Sequence, residues 1–223
     1  MSDQKNEHAH IFKFKYQNQK SALESVKIKV HEAADEEYGT YAWPSSLLLA
    51  QYLAEQHLDY QNRSLLELGC GIALPGLVAA KLGARVVLTD AAAHVKVLQN
   101  CKRSCDLNQI HCEIIPLSWG SFSSQILTMS RPDYLIAADV FYEQDKIDIL
   151  LSSIVYFGAP LLTAFHRRDS RLRSRLTLAC KAWDLELNTV SLPPLTKDWY
   201  EKQLEQSGTQ LELLRISSSN RPH

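Results

Sequence analysis

The chain has 223 residues, enough for one domain with a sizeable core. Apolar residues make up 45% and charged residues 22%, the balance of a soluble globular protein. A formal net charge of −1 excludes a global basic field for nucleic acid, and the longest uncharged apolar stretch, 68–80, is too short for a membrane span of roughly 18 residues.

The N-terminal MSDQKNEHAH is polar and lacks the apolar core of a signal peptide. A disordered tail over 1–10, a single domain over 11–223, and residence in cytoplasm and nucleus are expected. FKFKY and VKIKV alternate apolar residues with lysine, the period of half-exposed strands, and predict an N-terminal β-hairpin closed by residues 17–24. In EYGTYAWPSSLLLAQYL, Pro44 fits a helix first turn, and Leu47, Leu48, Gln51 and Tyr52 follow at helical spacing.

A βα alternation then begins. Strands are predicted at Ser64–Leu68, Arg85–Thr89, Cys112–Pro116, Tyr134–Ala138 and Pro160–Phe165. Helices are predicted at Pro75–Leu82, Ala92–Leu107, Lys146–Phe157 and Arg171–Trp183. Leu185–Ser191 and Leu211–Ser217 read as two last strands around Trp199–Gln206, with a hairpin that makes one antiparallel. The expected class is α/β: a Rossmann-like, doubly wound, mostly parallel seven-stranded sheet. In such sheets ligands lie at the carboxyl ends of the strands, which here carry Gly69–Gly71, Asp90, Ser118–Trp119, Asp139 and His166.

LLELGCGIALPG ends the first sheet strand and opens a helix. Glycine lets a ligand approach the backbone, and the helix start offers unpaired N–H groups. Asp90, about 20 residues on, can accept both hydroxyls of a ribose. The ligand is therefore expected to contain adenosine. The dinucleotide fingerprint fails at Leu74, and Glu67 would repel a pyrophosphate while suiting an ammonium. These charges favour S-adenosylmethionine over a nicotinamide dinucleotide.

LIAADVFYE places Asp139 beyond the fourth sheet strand, with Tyr142 three residues later. Together with ELGCGIALPG, Asp90, Leu117-Ser118-Trp119-Gly120 and the Trp-Pro segment, this run resembles the seven-β-strand methyltransferases. More narrowly, it resembles the methyltransferase-like family 16 group with its D-x-x-Y signature. The resemblance covers roughly residues 25 to 220. It implies that Gly69, Cys70 and Gly71 hold the methionine moiety, Asp90 holds the ribose and Trp119 flanks the adenine. Trp43 closes over the cofactor, Ala138 lines the site, and Asp139 and Tyr142 face the substrate. Ser118 stands where many relatives carry an acid that can bond the adenine amine. The resemblance also implies a basic side chain of a protein as target, lysine or arginine, histone tails included. Asn and both prolines of N-P-P-Y are missing, which argues against a nucleobase or an amide as methyl acceptor.

Glu32, Asp35, Glu36, Glu37, Glu143, Asp145 and Asp148 predict an acidic rim if both stretches border the cleft. HRRDSRLRSR, 166–175, reads as a solvated basic helix face capped by Asp169 or Ser170, or as a surface for an acidic partner. His166 shows no acid–base partner in the sequence and is not assigned to catalysis. Cys70, Cys101, Cys105, Cys112 and Cys180 are odd in number and lack a CxxC pair. They are expected to be incidental thiols rather than a zinc site completed by His94 or His111. No membrane, no specific nucleic acid and a monomeric state are expected. Two alternatives stay open: a nicotinamide-dependent oxidoreductase, and a non-catalytic protein-binding module on a methyltransferase fold.

Overall fold

The computed structural model describes residues 9–31, 41–168 and 170–219. Glu32, Asp35, Glu36, Glu37 and Asp169 lie outside the described residues. An antiparallel ribbon comes first, β1 (Ala9–Gln17) with β2 (Leu23–His31). Phe14, Val26, Ile28 and Val30 are buried on one face, and the intervening lysines are exposed. β1 starts at Ala9, two residues before the expected domain boundary.

Next come α1 (Pro44–Glu55), the short α2 (His57–Tyr60), β3 (Ser64–Leu68), α3 (Leu74–Lys81), β4 (Arg85–Asp90), α4 (Val95–Asn108) and β5 (Glu113–Pro116). α5 (Ser124–Thr128), β6 (Tyr134–Ala138), α6 (Ile147–Phe157) and β7 (Leu161–His166) follow. The chain ends in α7 (Ser170–Ala182), β8 (Leu185–Thr189), α8 (Pro194–Ser207) and β9 (Leu211–Ser218). Seven strands form one sheet in the order β5-β4-β3-β6-β7-β9-β8. β9 runs antiparallel to both neighbours, so the expected reversal at the end of the chain is present.

The central strands are largely buried because helices cover both faces of the sheet. α1, α3, α4 and the ribbon share one core with Leu65, Leu88 and Ile136. α6 and α7 share the other with Leu66, Leu135 and Leu161. α4 turns Val97, Asn100, Cys101, Ser104, Cys105 and Asn108 inward, the three- and four-residue spacing of one helical face. It begins at Val95 rather than Ala92, after a turn closed by His94 N–H to the Ala91 carbonyl. α8 starts at Pro194, five residues earlier than expected. The Glu55 carboxylate accepts from its Leu195 and Thr196 N–H groups at 3.0 and 2.7 Å, a cap supplied from 140 residues away.

β3 pairs in parallel with β4 on one side and β6 on the other, so the strand order reverses there. The two carboxyl ends at this switch point carry Gly69 and Asp139.

Candidate active site

The β3–α3 turn is left-handed at Gly69 (φ +63°), Gly71 (φ +51°) and Ala73 (φ +58°). A Cβ on Gly69 would lie 3.2 Å from both Trp119 Cζ2 and Val140 Cγ1. The backbone is therefore bare where it passes the indole, and Trp119 stands beside the turn. Cys70 faces inward: its N–H donates to the Thr89 carbonyl at 2.8 Å, and its Sγ lies 3.5 Å from Cys101 Sγ. It shapes the turn and does not present its thiol to a ligand. The bond with Cys101, together with burial, pushes the Cys70 thiol well above its ordinary pKa.

Asp90 is the last residue of β4. Its Oδ2 accepts from Gly71 N–H at 2.9 Å, and its Oδ1 accepts from Ala91 N–H at 2.8 Å. His94 Nδ1 lies 2.9 Å from Oδ1. The carboxylate is thus oriented against the glycine turn.

Glu67 departs from the role expected of it. Only 1% of the residue is exposed, and its Oε2 accepts from Gly76 N–H at 3.0 Å. The carboxyl group braces the start of α3 from below instead of projecting toward an ammonium. Burial raises its pKa well above the usual range; the Gly76 bond opposes this and the Asp90 charge adds to it. Gly76 exists for Glu67, because a Cβ at position 76 would overlap Oε2 and come within 2.6 Å of Leu88 Cδ2.

The β6 end differs in kind. Ala138 is half-buried and pairs in register with Ala164 of β7. Asp139 follows at φ +58°, a left-handed conformation uncommon for aspartate, held by its N–H bond to the Ala164 carbonyl at 3.0 Å. Its carboxylate accepts both Nη groups of Arg168, one of them at 3.0 Å. The Arg168 guanidinium lies 5.5 Å from the centroid of the Trp43 ring. Trp43, expected to close over the cofactor, is thus placed against a cation beside Asp139. Tyr142 is 49% exposed, on the open side of the same loop. Ser118 is exposed beside Trp119.

The basic block forms ion pairs within the fold, unlike the solvated face expected of it. Arg167 and Arg173 bond to Glu212, Arg168 to Asp139, and Arg175 to Asp148. Asp148 also accepts from Trp183 Nε1–H at 2.9 Å, so it belongs to this network rather than to an acidic rim. Glu143 and Asp145 are exposed. His166 ends β7 with its Nδ1 buried and lacking a hydrogen-bond partner. Burial lowers its pKa, Arg168 lowers it further, and Asp139 opposes, so the residue left out of the sequence-based site lies within its field. All five cysteines are free thiols, and among the described residues no cluster suited to a metal ion is formed. Among the same residues no helix is long and apolar enough to cross a membrane.

Residues 22–171 match the family described as lysine methyltransferase. The chain is 33% identical over 180 residues to the histone-arginine methyltransferase METTL23 of Xenopus laevis, covering 78% of this chain and 76% of that one. It is 36% identical over 117 residues to the protein of that name in Homo sapiens, covering 52% and 62%. It is 30% identical over 119 residues to the protein N-lysine methyltransferase METTL21A of Xenopus tropicalis, covering 52% and 54%. Among solved structures the fold is similar to magnesium protoporphyrin IX methyltransferase of Synechocystis with bound S-adenosylmethionine, at a TM-score of 0.55 and 12% identity over 77% of this chain and 76% of that one.

Proposed function

The chain belongs to the lysine methyltransferase family, and on that premise we propose that it transfers a methyl group to an arginine side chain of a protein substrate. S-adenosylmethionine is the cofactor, as that membership implies. The residues present fit it: a bare glycine turn, a ribose-side carboxylate at Asp90, and no basic cradle for a pyrophosphate at Glu67–Gly71. The nicotinamide alternative is therefore set aside.

One observation carries the arginine reading. Asp139 and Trp43 already hold a guanidinium, through paired hydrogen bonds to the carboxylate and contact with the indole face. A planar cation suits that pair better than a compact ammonium does. When bound, the cofactor supplies an electrophilic methyl on a sulfonium and keeps the electron pair of the broken carbon–sulfur bond. Asp139 would orient the substrate nitrogen in line with that methyl and accept the proton that the nitrogen loses. Trp43 and Trp119 would exclude water, Tyr142 would contact the incoming segment, and Ala138 would leave room for the acceptor. Gly69 and Gly71 would hold the methionine moiety; Cys70 and Glu67 would support them from below, and Ser118 would border the adenine.

The relatives named for histone arginine make a histone tail the substrate to try first, and nucleus with cytoplasm the expected locations. Lysine is the second reading, favoured by the family description and by the relative named for lysine. The test is transfer from radiolabelled S-adenosylmethionine to core histones and whole-cell protein, followed by identification of the labelled side chain. Labelled arginine supports the proposal and labelled lysine replaces it. Cofactor binding without any labelled protein would favour a binding module.

A further inference from the structure

Arg168 stands where a substrate cation would stand. It leaves the end of β7, with its N–H bonded to the His166 carbonyl at 2.9 Å, and its side chain crosses to the end of β6. The preceding Arg167 is tied to Glu212 at 3.0 Å, Arg173 also bonds to Glu212 and Arg175 to Asp148, whereas Arg168 reaches Asp139. The Asp139 side chain is 8% exposed and that of Arg168 is 35% exposed. The pair is therefore mostly shielded, with its outer flank open. Asp139 also keeps a left-handed backbone, a conformation uncommon for aspartate.

While Arg168 holds both oxygens of Asp139, a second guanidinium cannot take the same paired geometry on that edge. We propose that Arg168 is an internal competitor: its guanidinium closes the cation site formed by Asp139 and Trp43, and a substrate must displace it to reach the methyl donor. This rests on the reading of Asp139 as the substrate-facing carboxylate. No backbone movement is required, because a long side chain can leave by rotating about its own bonds. The closed fraction is a property of the protein alone. It therefore weakens every cationic substrate by one common factor, about 10-fold if the site is open a tenth of the time.

The test uses the full chain saturated with S-adenosylhomocysteine, titrated with Nα-acetyl-arginine amide and with Nα-acetyl-lysine amide. Binding is read from the indole N–H resonance of Trp43, assigned with a Trp43→Phe variant. Arg168→Ala and Arg168→Gln should each tighten both amides by the same factor, about 10-fold, with an unchanged dissociation constant for S-adenosylhomocysteine. Adding Asp139→Asn should abolish the gain. Methylation of core histones should show the same factor as a fall in KM, without a rise in kcat. Unchanged or weaker binding in both Arg168 variants overturns the competitor. If Asp139→Asn alone still weakens binding in that case, the reading of Asp139 stands without it. If neither residue affects binding, both readings fall together.

Discussion

The two strand ends at the switch point are built by opposite means. Beyond β3, the backbone sets the shape: left-handed glycines, Gly71 N–H on Asp90 and Gly76 N–H on Glu67, within some 25 residues of chain. Beyond β6, side chains set it, and Trp43, Asp139 and Arg168 arrive from three distant segments. A turn fixed by its own amides can present only one surface, which suits a ligand that never changes. A cluster of long charged side chains can open and exchange partners, which suits a peptide that must come and go.

This division can be broken by experiment. Asp139→Asn keeps the left-handed backbone accessible and removes the charge; it should lower methyl transfer by about 10²- to 10⁴-fold. Calorimetry should find cofactor affinity unchanged, and a parallel loss of affinity would mean that the two ends act as one unit. Gly76→Ala forces a methyl group onto Glu67 and Leu88. It should destabilise the fold by about 3 kcal/mol and lower the melting temperature, and cofactor binding should weaken with it. Asp90→Asn should weaken cofactor binding about 10- to 100-fold, the worth of hydrogen bonds to a charged acceptor, while turnover at saturating cofactor persists.

The smallest effect is expected at Glu67. Its raised carboxyl pKa means that the folded protein keeps a proton which the unfolded chain releases. Stability should then fall as pH rises from the ordinary carboxylate range, near about 4.3, toward the raised value. Glu67→Gln keeps an acceptor for Gly76 N–H and should flatten that slope, adding on the order of 1 kcal/mol at neutral pH. Denaturant unfolding across pH checks this; a variant with the same slope as wild type would place the titrating group elsewhere.

The β3 end is legible in the sequence because its parts are neighbours: a strand, two glycines, a helix start and an acid after the next strand. Even there the charge of Glu67 suggests a ligand contact, whereas the side chain is buried against Gly76. The clue was Gly76, which looks like a displaced member of a dinucleotide motif until the buried carboxyl group beneath it is seen. Asp139 and Tyr142 stand together in one short run, so they were visible too. The partner of Asp139 was not, because a basic block reads alike whether its arginines face water or cross a strand to an acid 29 residues away. The same limit hid the Glu55 cap on α8. Periodicity identifies strands and helices, but contacts between distant segments leave no local mark.

The ribbon β1–β2 carries a further consequence. A two-stranded sheet has two open edges, each a template on which another chain can add a strand. On β1, the Gln51 carboxamide takes both backbone groups of Lys15, at 3.2 and 2.8 Å. On β2, the Asn108 carboxamide takes both backbone groups of Lys29, at 2.9 and 2.5 Å. Each amide imitates one rung of a neighbouring strand. Those rungs are thus closed to self-association, and the ribbon is pinned against sliding by one residue along α1 and α4.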